Sequence, residues 1–295
     1  MMEFTTAADR GPLAPYVIGD PGRAALEVPA GPPNRRLGSA DVELSAATLP
    51  GLQIRAATVR GVHRRAYGKP RQDAFALGRC GTNGGPERAI AVVCDGIGAF
   101  GGSEETALLL SQHLAGLAAE GVLWPDAFAQ ASKAITAHLA ATLLAGRNRD
   151  DAHAHGLTTA AAGLAVYRDG DYWLGQAAWA GDSSLWHLGT DGQWAMLAGD
   201  PDKPGAARYS APAEPLPSPE AHCTTTEFCI AGGMLFVMTD GVANPLRWSE
   251  QVQETLAQWW KQPPDPFTFA AQVGFARKSH IDDRTVIGIW PDDGG

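Results

Sequence analysis

Residues 158–197 read TTAAAGLAVYRDGDYWLGQAAWAGDSSLWHLGTDGQWAML. Repeated apolar and aromatic runs are broken at Arg168-Asp169-Gly170-Asp171, at Gly181-Asp182 and at Thr190-Asp191-Gly192. Aromatic and β-branched residues fit a pleated, half-buried surface, and Asp-Gly pairs supply the positive φ of tight turns. The stretch therefore predicts consecutive antiparallel strands. Upstream, LQIRAATVRGV (52–62) alternates, DAFALG (73–78) is a short strand, and AIAVVCDG (89–96) is a continuous apolar run ending in Asp-Gly. Downstream, MLFVMTDG (234–241) repeats that last pattern and RTVIGIW (284–290) closes the chain's strands.

Helical periods fall between these runs. In SEETALLLSQHLAGLAAEG (103–121), Ala107, Leu110, Leu114 and Leu117 share a face, with acidic residues in the first turn and Gly121 at the end. In PDAFAQASKAITAHLAATLLAG (125–146), Phe128, Ala131, Ile135 and Leu139 form a second stripe, closed by Gly146. SEQVQETLAQWWKQ (249–262) and DPFTFAAQVGFARKS (265–279) read as two more helices. Strands cluster instead of alternating with helices, so the expected class is α+β, with antiparallel sheets carrying helices on their outer faces.

Residues 1–50 lack any sustained period and are rich in Pro, Gly and Ala, as in GPLAPYVIGDPGRAALEVPAGPPNRRLG (11–38). They read as a tail that is dispensable for folding, or as a strap along a domain spanning 51–295. Residues 199–221 read as a long surface loop. The net charge of −9 disfavours nucleic acid or anionic membrane as partners, since both need a cationic surface. The four cysteines form no C-x-x-C pair, which argues against a zinc site or a disulfide framework. No signal-type or membrane-spanning apolar segment stands out, so the expected location is the cytoplasm. Among the nine tryptophans, Trp173, Trp179, Trp186 and Trp194 lie in strands and read as core.

Asp73 (RQDAF), Asp95 (VVCDGIG), Asp240 (VMTDGVAN) and Asp282 (HIDDRT) each sit where a strand meets a turn. Sheet ends brought together would gather these carboxylates, and their mutual repulsion calls for cations. Oxygen-only ligands suit Mg²⁺ or Mn²⁺.

The pieces GVHRRAYGKPRQDAF (61–75), VVCDGIGAFGG (92–102), GLTTAAAGLAV (156–166), WAGDSSLW (179–186), VMTDGVAN (237–244) and HIDDRTVIGIW (280–290) occur in an order that resembles the protein phosphatase 2C family, in a bacterial branch. The resemblance runs from Ile54 to Trp290. It implies a four-layered α-β-β-α sandwich and a metal-dependent protein serine/threonine phosphatase using two Mn²⁺ or Mg²⁺ ions. In the implied site Asp95 bridges the two metals, the Gly96 carbonyl ligates one, and Asp240 and Asp282 ligate the other. Asp73 holds water and Asp182 serves a third, weaker metal.

The implied substrate is a phosphorylated protein, in opposition to a serine/threonine kinase. The sequence departs from the family pattern at five places. Gly68 stands where an arginine grips phosphate, leaving Arg64, Lys69 or Arg71 as phosphate-binding candidates. Ile97 stands at a histidine position, leaving His63 as candidate general acid. Asn244 replaces an aspartate that supports the third metal, Asp283 an asparagine, and Arg71 the asparagine of the first motif. A phosphoprotein-binding pseudophosphatase and a hydrolase of a small phosphoester are the alternative readings.

Overall fold

The computed structural model describes residues 16–21, 40–81, 85–96, 103–144, 158–199, 216–218 and 221–292. Two antiparallel sheets form its middle. The first holds β1 (Val42–Leu49), β2 (Leu52–Val59), β11 (Arg284–Pro291), β10 (Met234–Met238), β7 (Ser184–Leu188) and β8 (Trp194–Ala198), in that spatial order. The second holds β3 (Ala74–Cys80), β4 (Arg88–Gly96), β5 (Thr158–Asp169), β6 (Tyr172–Ala180) and β9 (Thr224–Ala231), also in spatial order. The helices are α1 (Val62–Ala66), α2 (Ser103–Ala119), α3 (Trp124–Leu144), α4 (Asp240–Trp248), α5 (Glu250–Trp259) and α6 (Pro266–Val273).

Strand alternation explains the layering. On β4, Ala89, Ala91 and Val93 face the other sheet, where they meet Ile54, Ile287 and Leu235. Ile90, Val92 and Cys94 face the opposite way, onto Leu110 and Leu114 of α2 and Phe128 and Ile135 of α3. On β10, Leu235 and Val237 face inward, while Phe236 and Met238 pack under Leu246, Val252, Leu256 and Phe269 of the helices α4 to α6. Both faces of these strands are buried, which is why their sequences read as unbroken apolar runs. The order of layers is helix, sheet, sheet, helix, as the sequence implies. Truncating a fully buried member such as Leu110 to alanine would cost about 2–5 kcal/mol. Trp173 lies between the sheets and donates its indole N–H to the Gly233 carbonyl at 3.1 Å; Trp186 and Trp194 lie under the helices. No helix among the described residues is long and apolar enough to cross a membrane.

The sequence-based tail boundary at residue 50 falls inside a hairpin. Val42–Leu49 pairs with β2 along its whole length, from Val42 opposite Val59 to Leu49 opposite Leu52. As an edge strand with an exposed face, β1 needs only a weak apolar pattern, so VELSAATL did not read as a strand. Residues 16–21 also belong to the folded body. Ile18 is 2% exposed within the helix-side core, its N–H donates to the Ala276 carbonyl at 3.2 Å, and Tyr16 packs edge-on against Trp259. Gly146 and most of the 199–221 loop lie outside the described residues.

Candidate active site

The ends of β4, β10 and β11, the β6–β7 connection and the approach to β3 meet at one pole of the sandwich. Asp73 precedes β3 and is buried, at 4% exposed. One of its carboxylate oxygens accepts from the Thr239 hydroxyl at 2.8 Å and from the Thr285 hydroxyl at 2.9 Å. The Thr58 and Thr285 hydroxyls lie 2.6 Å apart; with the single Thr285 proton directed at Asp73, Thr58 is the donor of that pair. Thr239 is the N-cap of α4, yet its hydroxyl serves Asp73 and not the helix.

Asp95 is the penultimate residue of β4, where a register shift between Asp95 and Gly96 turns the strand end. Gly96 lies so close to the neighbouring loop that a Cβ there would come within 2.6 Å of the Gln72 carbonyl oxygen. Asp240 opens α4 and shares a hydrogen bond with Asp95. The Asn244 amide, one helical turn on, donates to Asp240 at 3.1 Å. Asp182, exposed in the β6–β7 connection, and Asp282, exposed before β11, complete the group.

Electrostatics show that the five carboxylates are neighbours. Burial first, then the charge of Asp73 and of Asp240, Asp182 and Asp282, pushes the Asp95 carboxyl well above the usual range. Burial and the charges of Asp182 and Asp282 bring Asp240 up to about 7. Burial likewise raises Asp73, helped by Asp283, Asp282 and Asp240 and opposed by the Thr239 hydrogen bond. A set of crowded, partly desolvated carboxylates with only oxygen donors fits hard divalent cations. Among the described residues no three of these side chains already close around one point at ligating distance.

Asp283 was singled out in the sequence only as a departure, and the structure gives it a post of its own. It is 2% exposed, and its two oxygens accept from the Gly61 N–H at 2.6 Å and the Gln72 N–H at 2.7 Å. Burial raises its pKa to about 6 against those hydrogen bonds. It thus fastens the start of α1 and the approach to Asp73 onto the loop that carries Asp282. Gly241 sits against the same loop, so that a Cβ there would overlap the Asp283 carbonyl oxygen.

The candidate cations differ in placement. Arg64 on α1 is buried, with its guanidinium 3.7 Å from both Asp282 and Asp283. Arg71 is also buried, but bridges to Glu43 of β1 at 2.7 Å and donates to the Asp73 carbonyl at 3.1 Å. Lys69 is exposed on the turn after α1. His63 is half-buried against Tyr67, with ring centroids 5.0 Å apart; burial and then Arg64 lower its pKa. Ile97 lies outside the described residues.

A family model described as protein phosphatase 2C matches residues 60–272. The chain belongs to the protein phosphatase 2C family. Its members are metal-dependent serine/threonine phosphatases. Solved structures agree on the fold. A serine/threonine phosphatase from S. agalactiae is 14% identical with a TM-score of 0.55, over 85% of this chain and 100% of that one. Stp1 from Staphylococcus aureus is 12% identical with a TM-score of 0.53, over 89% and 97%. The catalytic domain of the phosphatase PstP, solved with two manganese ions, is 18% identical with a TM-score of 0.52, over 85% and 100%. No curated protein sequence matches the chain.

Proposed function

We propose that this phosphatase 2C chain hydrolyses phosphoserine and phosphothreonine in cytoplasmic proteins, opposing a serine/threonine kinase. Asp95, the Gly96 carbonyl, Asp240 and Asp282 would hold two Mn²⁺ or Mg²⁺ ions, with Asp182 at a third, weaker site. The observation that carries this reading is the meeting of Asp73, Asp95, Asp182, Asp240 and Asp282 from five separate segments, with Asp95 and Asp240 hydrogen-bonded. Two bound dications supply acidification of water and stabilisation of charge on phosphoryl oxygens.

The chain's own residues do the rest. Asp73, fixed by two hydroxyls, presents its remaining oxygen to orient the attacking water. In the stretch Arg60–Arg71, Arg60 pairs with Asp41 and Arg71 with Glu43, while Arg64 lies beside Asp282 and Lys69 is exposed. Cations beside the carboxylates favour a phosphorylated substrate. Arg64 reaches the carboxylate group, so it is the cation placed to meet phosphoryl oxygens. His63, on α1 beside Arg64, is the candidate donor of a proton to the departing serine or threonine oxygen, and burial lowers its pKa.

The test is hydrolysis of a phosphothreonine peptide and of para-nitrophenyl phosphate, with Mn²⁺ and with a chelator. Metal-dependent turnover of both supports the reading. Tight peptide binding without turnover would instead establish a pseudophosphatase. Turnover confined to small phosphoesters would establish a metabolite hydrolase.

A further inference from the structure

An apolar rim borders the carboxylate group on one side. Ile281, immediately before Asp282, is 39% exposed, and Tyr67, just after α1, is 67% exposed. Neither is a loose surface side chain. The His63 N–H donates to the Ile281 carbonyl at 3.0 Å, which ties α1 to the Asp282 loop. The Tyr67 N–H donates to the His63 carbonyl at 3.3 Å, and its ring leans on the half-buried His63 imidazole. Gly68 takes a left-handed φ of +59°, and the Lys69 N–H returns to the Arg64 carbonyl at 2.9 Å, closing the turn that turns Tyr67 outward. The main chain thus holds exposed Tyr67, on its His63 ring, and exposed Ile281 at the two ends of one tie between α1 and the Asp282 loop.

Isolated exposed apolar residues need no explanation. Here Tyr67 is in ring contact with His63, the His63 main chain is bonded to Ile281, Ile281 immediately precedes Asp282, and Lys69 is exposed two residues after Tyr67. We propose that Tyr67 and Ile281 form a ledge on the phosphatase that receives a large apolar side chain flanking the phosphorylated residue of a protein substrate. The inference rests on the phosphatase reading and names the substrate class it favours: segments with Leu, Ile, Met or Phe within about two positions of phosphoserine or phosphothreonine. The spacing follows from chain geometry. Ile281 and Asp282 are consecutive, and an extended peptide advances about 3.3 Å per residue, so only close neighbours of the phosphorylated residue fall on the ledge. A pre-formed apolar surface selects among substrates by the water it excludes, while the phosphoryl group sets the register.

The experiment compares two phosphothreonine peptides, one with leucine on both sides of the phosphothreonine and one with serine there. The full-length protein is assayed with each in Mn²⁺. The expected result is an approximately tenfold higher kcat/KM for the leucine peptide, carried by KM. That preference should collapse towards unity in Tyr67→Ala and in Ile281→Ala. Tyr172→Ala, an exposed aromatic on the β5–β6 hairpin, should retain it. No preference in the wild type, or a preference surviving in both ledge variants, overturns the inference while leaving the phosphatase reading intact. Failure to turn over either peptide or para-nitrophenyl phosphate overturns both.

Discussion

Asp283 shows how much one side chain can fasten. It offers two acceptors to two backbone donors from separate loops, and an asparagine offers only one oxygen. Asp283→Asn should therefore leave one buried N–H unpaired and cost about 1–3 kcal/mol in denaturant unfolding. A loss below a few tenths would show that the loops are held by other means. Among the cations the same reasoning separates function from structure. Arg64→Ala should raise KM for a phosphopeptide about tenfold, the loss of one charge-assisted contact of roughly 1.5–3 kcal/mol. Arg71→Ala, which breaks the tie between β1 and the Asp73 approach, should lower Tm more than it alters KM. If Arg71→Ala raises KM and Arg64→Ala does not, the assignment reverses.

At the scale of elements, the largest gap between sequence and structure lies at the N-terminal side. VELSAATL is an exposed edge strand, so its residues carry little of the alternation that marks a half-buried one. The 16–21 segment is anchored by a few contacts made by Tyr16, Ile18 and Asp20, which no local pattern reveals. Removing residues 1–46 should thus yield an insoluble or low-melting protein, because more than half of β1 goes with it. Ile18→Ala alone should lower stability by about 2–4 kcal/mol. A fully active, wild-type-melting truncation would contradict this picture of the strap.

Helix α4 was hidden for a different reason. DGVANPLRW contains a glycine and an internal proline, and local propensity argues against a helix. Tertiary contacts prevail. Val242, Ala243 and Leu246 are buried against β10 and β11, and the Gly241 carbonyl, which Pro245 cannot bond, accepts from the Arg284 guanidinium at 3.1 Å instead. By contrast β4, β10, α2 and α3 were legible, because two-sided burial and a helical stripe each leave an unmistakable pattern. The acidic positions were legible as strand-end Asp residues in family order. The hydroxyl network beneath Asp73 was not, since it depends on contacts between residues more than 150 positions apart. Arg64 was one of three cations the sequence offered, and its position on a five-residue helix beside Asp282 is what the structure adds.

For the whole molecule, the sandwich brings together charges that repel one another at one pole, at some cost to stability. A cation bound there should offset that cost. Mn²⁺ should raise the melting temperature of the wild type by several degrees, and Asp95→Asn should cancel that rise. In the presence of a chelator, Asp95→Asn should melt at or above the wild-type temperature, because it removes a crowded charge. A variant that melts lower without metal and still gains stability with Mn²⁺ would place the cation elsewhere.

The central claim is that these aspartates form a two-metal site, and direct titration tests it most closely. Isothermal calorimetry of Mn²⁺ into chelator-stripped full-length protein should give about two tight equivalents. Asp95→Asn, lacking the shared ligand, should lose at least one and lose phosphopeptide turnover with it. A wild type that binds no Mn²⁺, or an Asp95→Asn protein that binds the same number of ions equally tightly, would contradict the account.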